Sequence, residues 1–169
     1  MKSLSISLIS VLFLHSSPFV QAGDNSVEVK TKGSSSLIHI DQIGTSNTAR
    51  VWCGLSEGTY PTHNCSNAEI DIDQEGTSNT ARAYSQVADH TGNEYKIDQD
   101  GNDNFGYIDA DDDGNDMDIV QNGNNNDAEI YMQGDNNVYN ITQTGDDKEG
   151  EIRAFGDDSE FSITQSGSG

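Results

Sequence analysis

The chain has 169 residues, of which 29 are Asp or Glu and only 8 are Lys or Arg, so its net charge is −21. Such a surface repels nucleic acid phosphates and anionic membranes, and we therefore expect no nucleic acid partner and no membrane insertion. Hydrophobic residues make up 32% of the chain, a content that borders on that of disordered proteins. Order requires a fold that buries little apolar surface per residue, which stacked repeats provide.

The first 22 residues read as a secretory signal peptide. Lys2 is followed by an apolar run over residues 4–14 that is too short to cross a bilayer, and a small-residue cleavage site ends at Ala22. We therefore predict a secreted protein with a signal peptide over 1–22, an N-terminal segment over 23–35 and a repeat domain over 36–169.

A Gln-x-Gly motif recurs six times in the repeat domain. Its glutamines are Gln42, Gln74, Gln99, Gln121, Gln143 and Gln165. The last four lie 22 residues apart, whereas the earlier gaps of 32 and 25 residues contain insertions of 10 and 3 residues. A fixed period of this length is typical of stacked-repeat architectures.

Residues around each glutamine alternate as in a β-strand with one buried face. An isoleucine lies two positions before every glutamine: Ile40, Ile72, Ile97, Ile119, Ile141 and Ile163. The glycine of the motif predicts a turn, after which a second alternating strand begins at Asn47, Asn79, Asn104 and Asn126. The fifth unit has lost this asparagine and the sixth contains a first strand only, which gives about five and a half repeats.

This pattern predicts an all-β fold, a β-solenoid of stacked strand-turn-strand repeats with two parallel sheets. Equivalent side chains would lie ~4.8 Å apart, the cross-β spacing, and the isoleucines would form the core. The side-chain amides of Gln and Asn each contain a donor and an acceptor. We expect each amide to donate to the repeat on one side and to accept from the repeat on the other, so that these residues form stacking ladders.

The motif Ser-x5-Gln-x-Gly-x2-Asn-x-Ala resembles the curlin repeat of bacterial curli fibres. Ser36, Gln42, Gly44, Asn47 and Ala49 match the motif in full, and later units match it with replacements at the serine. The resemblance extends over residues 36–169. It implies a secreted structural subunit that self-assembles into amyloid fibres for surface adhesion and biofilm matrix.

The same resemblance implies the partners of the chain. These would be further copies of itself, a companion curlin subunit and an outer-membrane secretion channel. The chain departs from the family where the second glutamine of a repeat is replaced, for instance by Cys53 or Ser85. A final half repeat is also seen in the minor, nucleating subunit of the family, but we favour the major type.

Cys53 and Cys65 flank the ten-residue insertion. In an exported protein with two cysteines a disulfide is favoured. Together with His63 the pair offers three possible zinc ligands, fewer than a closed structural site has. We predict a disulfide between these cysteines, no metal site and no cofactor.

An acidic stretch matches the start of a calcium loop at Asp109, Asp111, Asp113 and Gly114, but Val120 lies where the loop requires a bidentate Glu. The stretch is also typical of an acidic turn that discourages premature stacking. Because no catalytic motif is present, we predict a protein that is not an enzyme. The alternative function is a monomeric acidic β-solenoid that binds calcium, a glycan or another ligand on a flat face.

Overall fold

The structure is a computed structural model that describes residues 12–15, 23–31, 37–53, 69–85 and 91–167. These residues wind into a β-solenoid of about five turns built from two parallel sheets, which confirms the predicted fold class. Each turn, called a rung below, contributes one strand to each sheet. Within the described residues, no helix is long and apolar enough to cross a membrane.

Sheet 1 contains the first strand of each rung. In spatial order its strands are β1 (Leu12–His15), β3 (Leu37–Thr45), β5 (Glu69–Thr77), β7 (Glu94–Asn102), β9 (Asp116–Asn124), β11 (Val138–Thr144) and β14 (Glu160–Ser166).

Sheet 2 contains the second strand of each rung. In spatial order it begins with β2 (Ser26–Thr31), β4 (Thr48–Cys53), β6 (Thr80–Ser85), β8 (Phe105–Asp111) and β10 (Asp127–Gln133). In the last rung with strands in both sheets, the second strand is interrupted, and its two short pieces β12 (Glu149–Glu151) and β13 (Ala154–Phe155) both pair with β10.

Neighbouring strands of sheet 1 pair in register, so that each motif glutamine lies beside the next. Gln42 pairs with Gln74, and Gln74 pairs with Gln99, although 32 and 25 residues separate them. The two insertions therefore leave the register unchanged. They fall in connections that include residues 54–68 and 86–90, which lie outside the described residues.

The core is a thin layer of side chains between the two sheets. Branched side chains come mainly from sheet 1, and small ones from sheet 2. Five of the isoleucines that precede the glutamines are no more than 1% exposed: Ile40, Ile72, Ile97, Ile119 and Ile141. Ala49, Ala81 and Ala128 on sheet 2 are fully buried. Ile163 is only partly buried, because no rung lies beyond its half rung among the described residues.

The bend between the two strands of a rung lies later in the chain than the sequence pattern indicated. Strand β5 runs through Gly76 to Thr77, and the chain turns at Ser78, which has a φ of 60°. Gly76 itself has a φ of 117°, and a Cβ there would lie 1.9 Å from the carbonyl oxygen of Gly101. Glycine is required at this position both by its backbone conformation and by the close approach of the next rung.

Residues before the predicted repeat domain also join the solenoid. Strand β2 pairs with β4, so that Val27 lies beside Ala49 and Val29 beside Val51. Both valines pack against the core. The segment over 23–35 therefore contains the second strand of a further rung at the N-terminal end.

Candidate functional site

The motif glutamines form one continuous amide ladder through the solenoid. The Nε2 of each glutamine donates to the Oε1 of the next, at 2.7 Å from Gln42 to Gln74 and at 2.8 Å from Gln74 to Gln99. The later contacts run from Gln99 to Gln121, from Gln121 to Gln143 and from Gln143 to Gln165, at 2.8, 2.9 and 3.0 Å. All five bonds point towards the C-terminal end, so the ladder has a direction.

Each glutamine amide also ties the two sheets together. Its second N–H reaches the carbonyl oxygen at the start of the preceding strand of sheet 2, as from Gln121 to Phe105 at 2.9 Å and from Gln143 to Asp127 at 2.8 Å. Both donors and the acceptor of an interior glutamine are thus satisfied, which allows it to be fully buried.

The asparagines at the first bend form a ladder of a different kind. The Oδ1 of Asn79 accepts from the backbone N–H of Asn104 at 3.0 Å, and its Nδ2 donates to the carbonyl oxygen of Gly101 at 2.8 Å. The expected amide-to-amide stacking of Asn47, Asn79, Asn104 and Asn126 is therefore replaced by amide-to-backbone bonds. The reason is reach, because the shorter Asn side chain meets the backbone of the bend first.

This asparagine ladder extends beyond the predicted residues at one end and stops at the other. At the N-terminal end the Oδ1 of Asn25 accepts from the backbone N–H of Asn47 at 2.9 Å. At the other end Lys148 takes the asparagine position, and its N–H donates to the Oδ1 of Asn126 at 3.0 Å. A lysine side chain has no acceptor, so this ladder cannot continue past Lys148.

A second asparagine ladder, which the sequence analysis did not identify, holds the opposite bend. The Oδ1 of Asn93 accepts from the N–H of Asn115 at 2.8 Å, and the Oδ1 of Asn115 from the N–H of Asn137 at 2.9 Å. At the C-terminal end of this ladder, the Oδ1 of Asn137 accepts from the N–H of Ser159 at 2.9 Å. The 22-residue spacing of these asparagines is a signal that could have revealed the ladder.

The C-terminal end of the solenoid exposes apolar side chains of the repeat pattern. Phe161 stacks on buried Tyr139 with ring centroids 5.6 Å apart, but it remains 52% exposed. Beside β14, a groove of about 400 Å³ is lined by Ile152, Ala154, Phe161 and Ile163 among others. The groove lies where a second strand of the rung of β14 would be.

The outer face of sheet 1 carries a column of carboxylates in its first rungs. Asp73 lies between Asp41 and Asp98 on the neighbouring strands. Burial and then these two charges raise the pKa of Asp73 above its ordinary value, and burial with neighbouring carboxylates does the same for Glu94. The folded state therefore favours the protonated form of both side chains.

His39 lies on the same acidic outer face of sheet 1. Its Nδ1 lies 2.9 Å from the Oδ1 of Asp71, and this hydrogen bond raises the pKa of His39. The pair is about half exposed.

The outer face of sheet 2 differs, since it carries aromatic side chains. Trp52 stacks on Tyr84 with ring centroids 4.6 Å apart, and Tyr84 meets Tyr107 edge-on at 5.5 Å. The guanidinium of Arg82 lies 5.3 Å from the ring centre of Phe105.

The acidic stretch that matched a calcium loop is part of the solenoid wall. Asp109 lies in β8 and accepts a hydrogen bond from the hydroxyl of Tyr107 at 2.9 Å, and Asp113 accepts from the N–H of Thr91 at 2.6 Å. Among the described residues, no group of three or more His, Cys, Asp or Glu is placed to hold a metal ion. Cys53 ends β4, whereas Cys65 and His63 lie outside the described residues, so the disulfide stays a prediction.

Fold and ladders together define a parallel β-solenoid whose identical rungs are joined by polar side chains. The family profile of the curlin associated repeat matches residues 113–145, which include β9, β10 and β11. This match supports the assignment of the chain to the curlin family, whose members are structural subunits of extracellular fibres. No curated protein and no solved structure matched the chain.

Proposed function

We propose that this chain is a secreted, major-type curlin subunit that self-assembles end to end into curli-like fibres for surface adhesion and biofilm matrix. The observation that carries the proposal is the C-terminal end, where an in-register strand and an apolar groove are open to solvent. Most proteins block such strand edges with charge, proline or covering segments. Among the described residues, no helix or loop covers β14 on its outer side.

Stacking of a further copy at this end gains several kinds of interaction at once. It would bury Phe161 and Ile163, each worth about 1.5–3 kcal/mol if fully buried. It would also pair the free backbone groups of β14 and provide an acceptor for the last amide of the glutamine ladder. Growth is therefore the step that satisfies groups which a single copy leaves unpaired.

Export and assembly involve further partners in this proposal. Removal of residues 1–22 and passage through an outer-membrane channel precede assembly, and a companion curlin subunit shares the fibre. The family assignment supports these roles. The pairing of Cys53 with Cys65 would close the connection between β4 and β5 without touching a ladder position.

The test is incubation of residues 23–169 with thioflavin T, followed by X-ray diffraction from the aligned product. We expect a lag, then fluorescence growth, and a reflection near ~4.8 Å along the fibre axis. Growth of this chain alone, without an added seed, would favour the major type over the minor type. The variant Ile119→Asp, with a charge in the core, is the non-assembling control.

A second function remains for a chain that stays monomeric in this assay. The stacked rings of Trp52 and Tyr84 on the outer face of sheet 2 favour a glycan as its ligand, because sugar rings pack on flat aromatic surfaces. Soluble monomer by sedimentation, with binding to immobilised glycans that Trp52→Ala abolishes, would establish this alternative.

A further inference from the structure

Once residues 1–22 are removed, the two ends of the solenoid have complementary shapes, because one sheet extends beyond the other at each end. At the C-terminal end, sheet 1 extends one strand beyond sheet 2, because β14 has no described partner strand in its rung. At the N-terminal end, sheet 2 extends one strand beyond sheet 1, because β2 precedes the rung of β3 and β4. Each end therefore carries one half of a rung, and the two halves come from opposite sheets.

We infer that β14 of one copy and β2 of the next copy join to form one complete rung, called the composite rung below. This inference rests on the proposed end-to-end assembly and names its junction. In sheet 1, β14 would pair with β3 of the next copy. In sheet 2, β12 and β13 would pair with β2 of the next copy, which would occupy the groove beside β14.

The pairing within one chain shows that β2 fits this position. Val27 and Val29 lie beside Ala49 and Val51, the positions that Gly150 and Ile152 occupy in the last rung. Continuation of the same register places Val29 of the next copy on Ile152. The groove is lined there by Ile152, Ala154 and Ile163, so the apolar face of β2, formed by Val27 and Val29, meets an apolar surface.

The direction of the glutamine ladder matches the same junction. Gln165 accepts from Gln143 and donates to the carbonyl oxygen of Glu149, which leaves one of its N–H groups for a further rung. At the opposite end, no donor among the described residues reaches the Oε1 of Gln42. Pairing of β14 with β3 of the next copy places this donor and this acceptor side by side, and it makes the fibre polar.

At two positions of sheet 1, the junction avoids like-charge pairs that occur between β5 and β7 inside the chain. Inside, Glu69 lies beside Glu94 and Asp73 beside Asp98. At the junction, the same register places Thr164 beside Asp41 and Glu160 beside Leu37 of the next copy. In sheet 2, Glu28 of the next copy would lie beside Glu151, whose carboxylate is paired with Arg153.

The N-terminal leader competes for the same edge. Strand β1 pairs with β3, with Leu12 beside Ile38 and Leu14 beside Ile40. These are the backbone positions that β14 of another copy requires. The composite rung can therefore form only after residues 1–22 have been removed, and the full chain should not grow through this end.

Cysteine cross-linking tests the composite rung directly. Glu28→Cys and Glu151→Cys are combined in a Cys53→Ser, Cys65→Ser background of residues 23–169. Within one copy these positions lie five strands apart in sheet 2, about 24 Å at ~4.8 Å per strand. Across the junction they are neighbours at ~4.8 Å, within the Cα separation that a disulfide accepts. Oxidised fibres should run as covalent multimers on non-reducing gels, whereas oxidised monomer should not.

The control combines Glu28→Cys with Glu160→Cys, which lie on different sheets at the same junction and should give no multimers. Fibres without cross-linked multimers in the first variant overturn the composite rung but leave the proposed function intact. A chain that forms no fibres at all overturns both.

Substitutions on β2 provide an independent measurement that needs no cysteine. Val29→Asp places a carboxylate on the face that meets the groove, whereas Ser26→Asp places it on exposed outer surface. We expect Val29→Asp to slow seeded growth by roughly tenfold or more, since an unpaired charge is then buried at the junction. Ser26→Asp should grow within about twofold of the wild-type rate, because surface changes have small effects. Equal rates for the two variants contradict the composite rung.

Discussion

Interior rungs and the last half rung contain the same residue types at the same positions, yet these residues differ in burial. Tyr139 and Gln143 are fully buried, whereas Phe161 is 52% exposed and Gln165 only partly buried, although each lies 22 residues after its equivalent. The difference is the presence of a following rung. In the proposed assembly, a repeat position serves folding where it is covered and fibre growth where it is open, so equivalent substitutions should separate the two effects.

The largest contrast is expected for an aspartate in the isoleucine column. Ile119→Asp buries a charge among fully buried side chains and should cost more than about 4 kcal/mol, enough to remove the β signal in circular dichroism. Ile163→Asp lies at the open end and should retain that signal while seeded growth slows strongly. Loss of β structure in both variants would mean that the half rung is needed for folding.

The second-largest difference in stability is expected for alanine substitutions at the glycine of the Gln-x-Gly motif. A Cβ at Gly123 would lie 2.1 Å from the carbonyl oxygen of Gly145, whereas nothing lies within 4 Å of a Cβ at Gly167. Both glycines have positive φ, so the two variants share the same backbone strain. The difference between them therefore measures the overlap of the added Cβ with the next rung. Gly123→Ala should cost about 2–4 kcal/mol in denaturant unfolding, from strain and overpacking together, and Gly167→Ala about 1 kcal/mol.

Growth measurements sharpen the glycine comparison. In a fibre, the composite rung places Gly44 of the next copy against Gly167, where a Cβ would then meet its carbonyl oxygen. Gly167→Ala should therefore fold and still elongate slowly. A wild-type elongation rate would place the growing end elsewhere.

Removal of single amides from the glutamine ladder should have an intermediate effect. Gln121→Ala removes the bonds with both Gln99 and Gln143 and leaves buried polar atoms without partners, a loss of about 1–3 kcal/mol. Gln165→Ala removes one ladder bond at a partly exposed site and should cost less than about 1 kcal/mol. The measurement is the midpoint of guanidinium unfolding for each variant. Equal shifts would show that the ladder is not continuous.

The contrast between interior and end also explains which features the sequence could predict. Strand alternation, in-register pairing and the isoleucine core follow from a two-residue period and a 22-residue repeat, and the fold agrees with them. The amide-to-backbone ladder of Asn79 does not follow from periodicity, because it depends on how far the bend lies from the side chain. For the same reason the sequence pattern predicts the bend at Gly76, whereas the chain turns at Ser78.

Strand β2 shows a second limit. Its residues carry no Gln-x-Gly motif, and only the alternation of Val27 and Val29 after Asn25 resembles a second strand. Such a short pattern is too common to predict a strand by itself. The neighbouring strand β4 supplies the missing information, since it offers an edge in register.

The pH dependence should arise from carboxylates of the covered rungs and not from the last half rung, because Asp118 and Asp127 share the raised pKa values of Asp73 and Glu94. The pKa values of Asp73 and Glu94 are raised, so stability is present at acid pH and is lost as pH rises through those pKa values. The raised pKa of His39 acts in the same direction, since its protonated form is stabilised below about 6.5 and this gain is lost above its raised pKa. Fibre growth should accelerate from pH 7 to pH 4.5.

Asp73→Asn should make that acceleration smaller, because an amide at this position does not repel Asp41 and Asp98 at any pH. The change in stability at pH 7 should be a gain of no more than about 1 kcal/mol, as for other surface charges. Asp157→Asn, at an exposed bend, is the matched control and should keep the wild-type pH profile. A profile that Asp73→Asn leaves unchanged would exclude this column as the source of the pH dependence.

The smallest effect is expected where the first asparagine ladder stops. Lys148 accepts no hydrogen bond through its side chain, and its Nζ instead donates to the carbonyl oxygen of Asp146 at 2.9 Å. In the composite rung, the N–H of Asn25 of the next copy lies at this position. Within one copy this N–H donates to the carbonyl oxygen of Gly23 at 2.6 Å, and no side chain accepts from it as Asn25 accepts from Asn47. Lys148→Asn would supply that acceptor and a donor for the carbonyl oxygen of Gly167. One added hydrogen bond of about 0.5–1.5 kcal/mol should lower the monomer concentration left after growth a few-fold. The control is Lys148→Gln, which removes the same charge but carries its amide on a longer side chain. If Lys148→Gln leaves as little residual monomer as Lys148→Asn, the gain comes from the lost charge and not from the ladder.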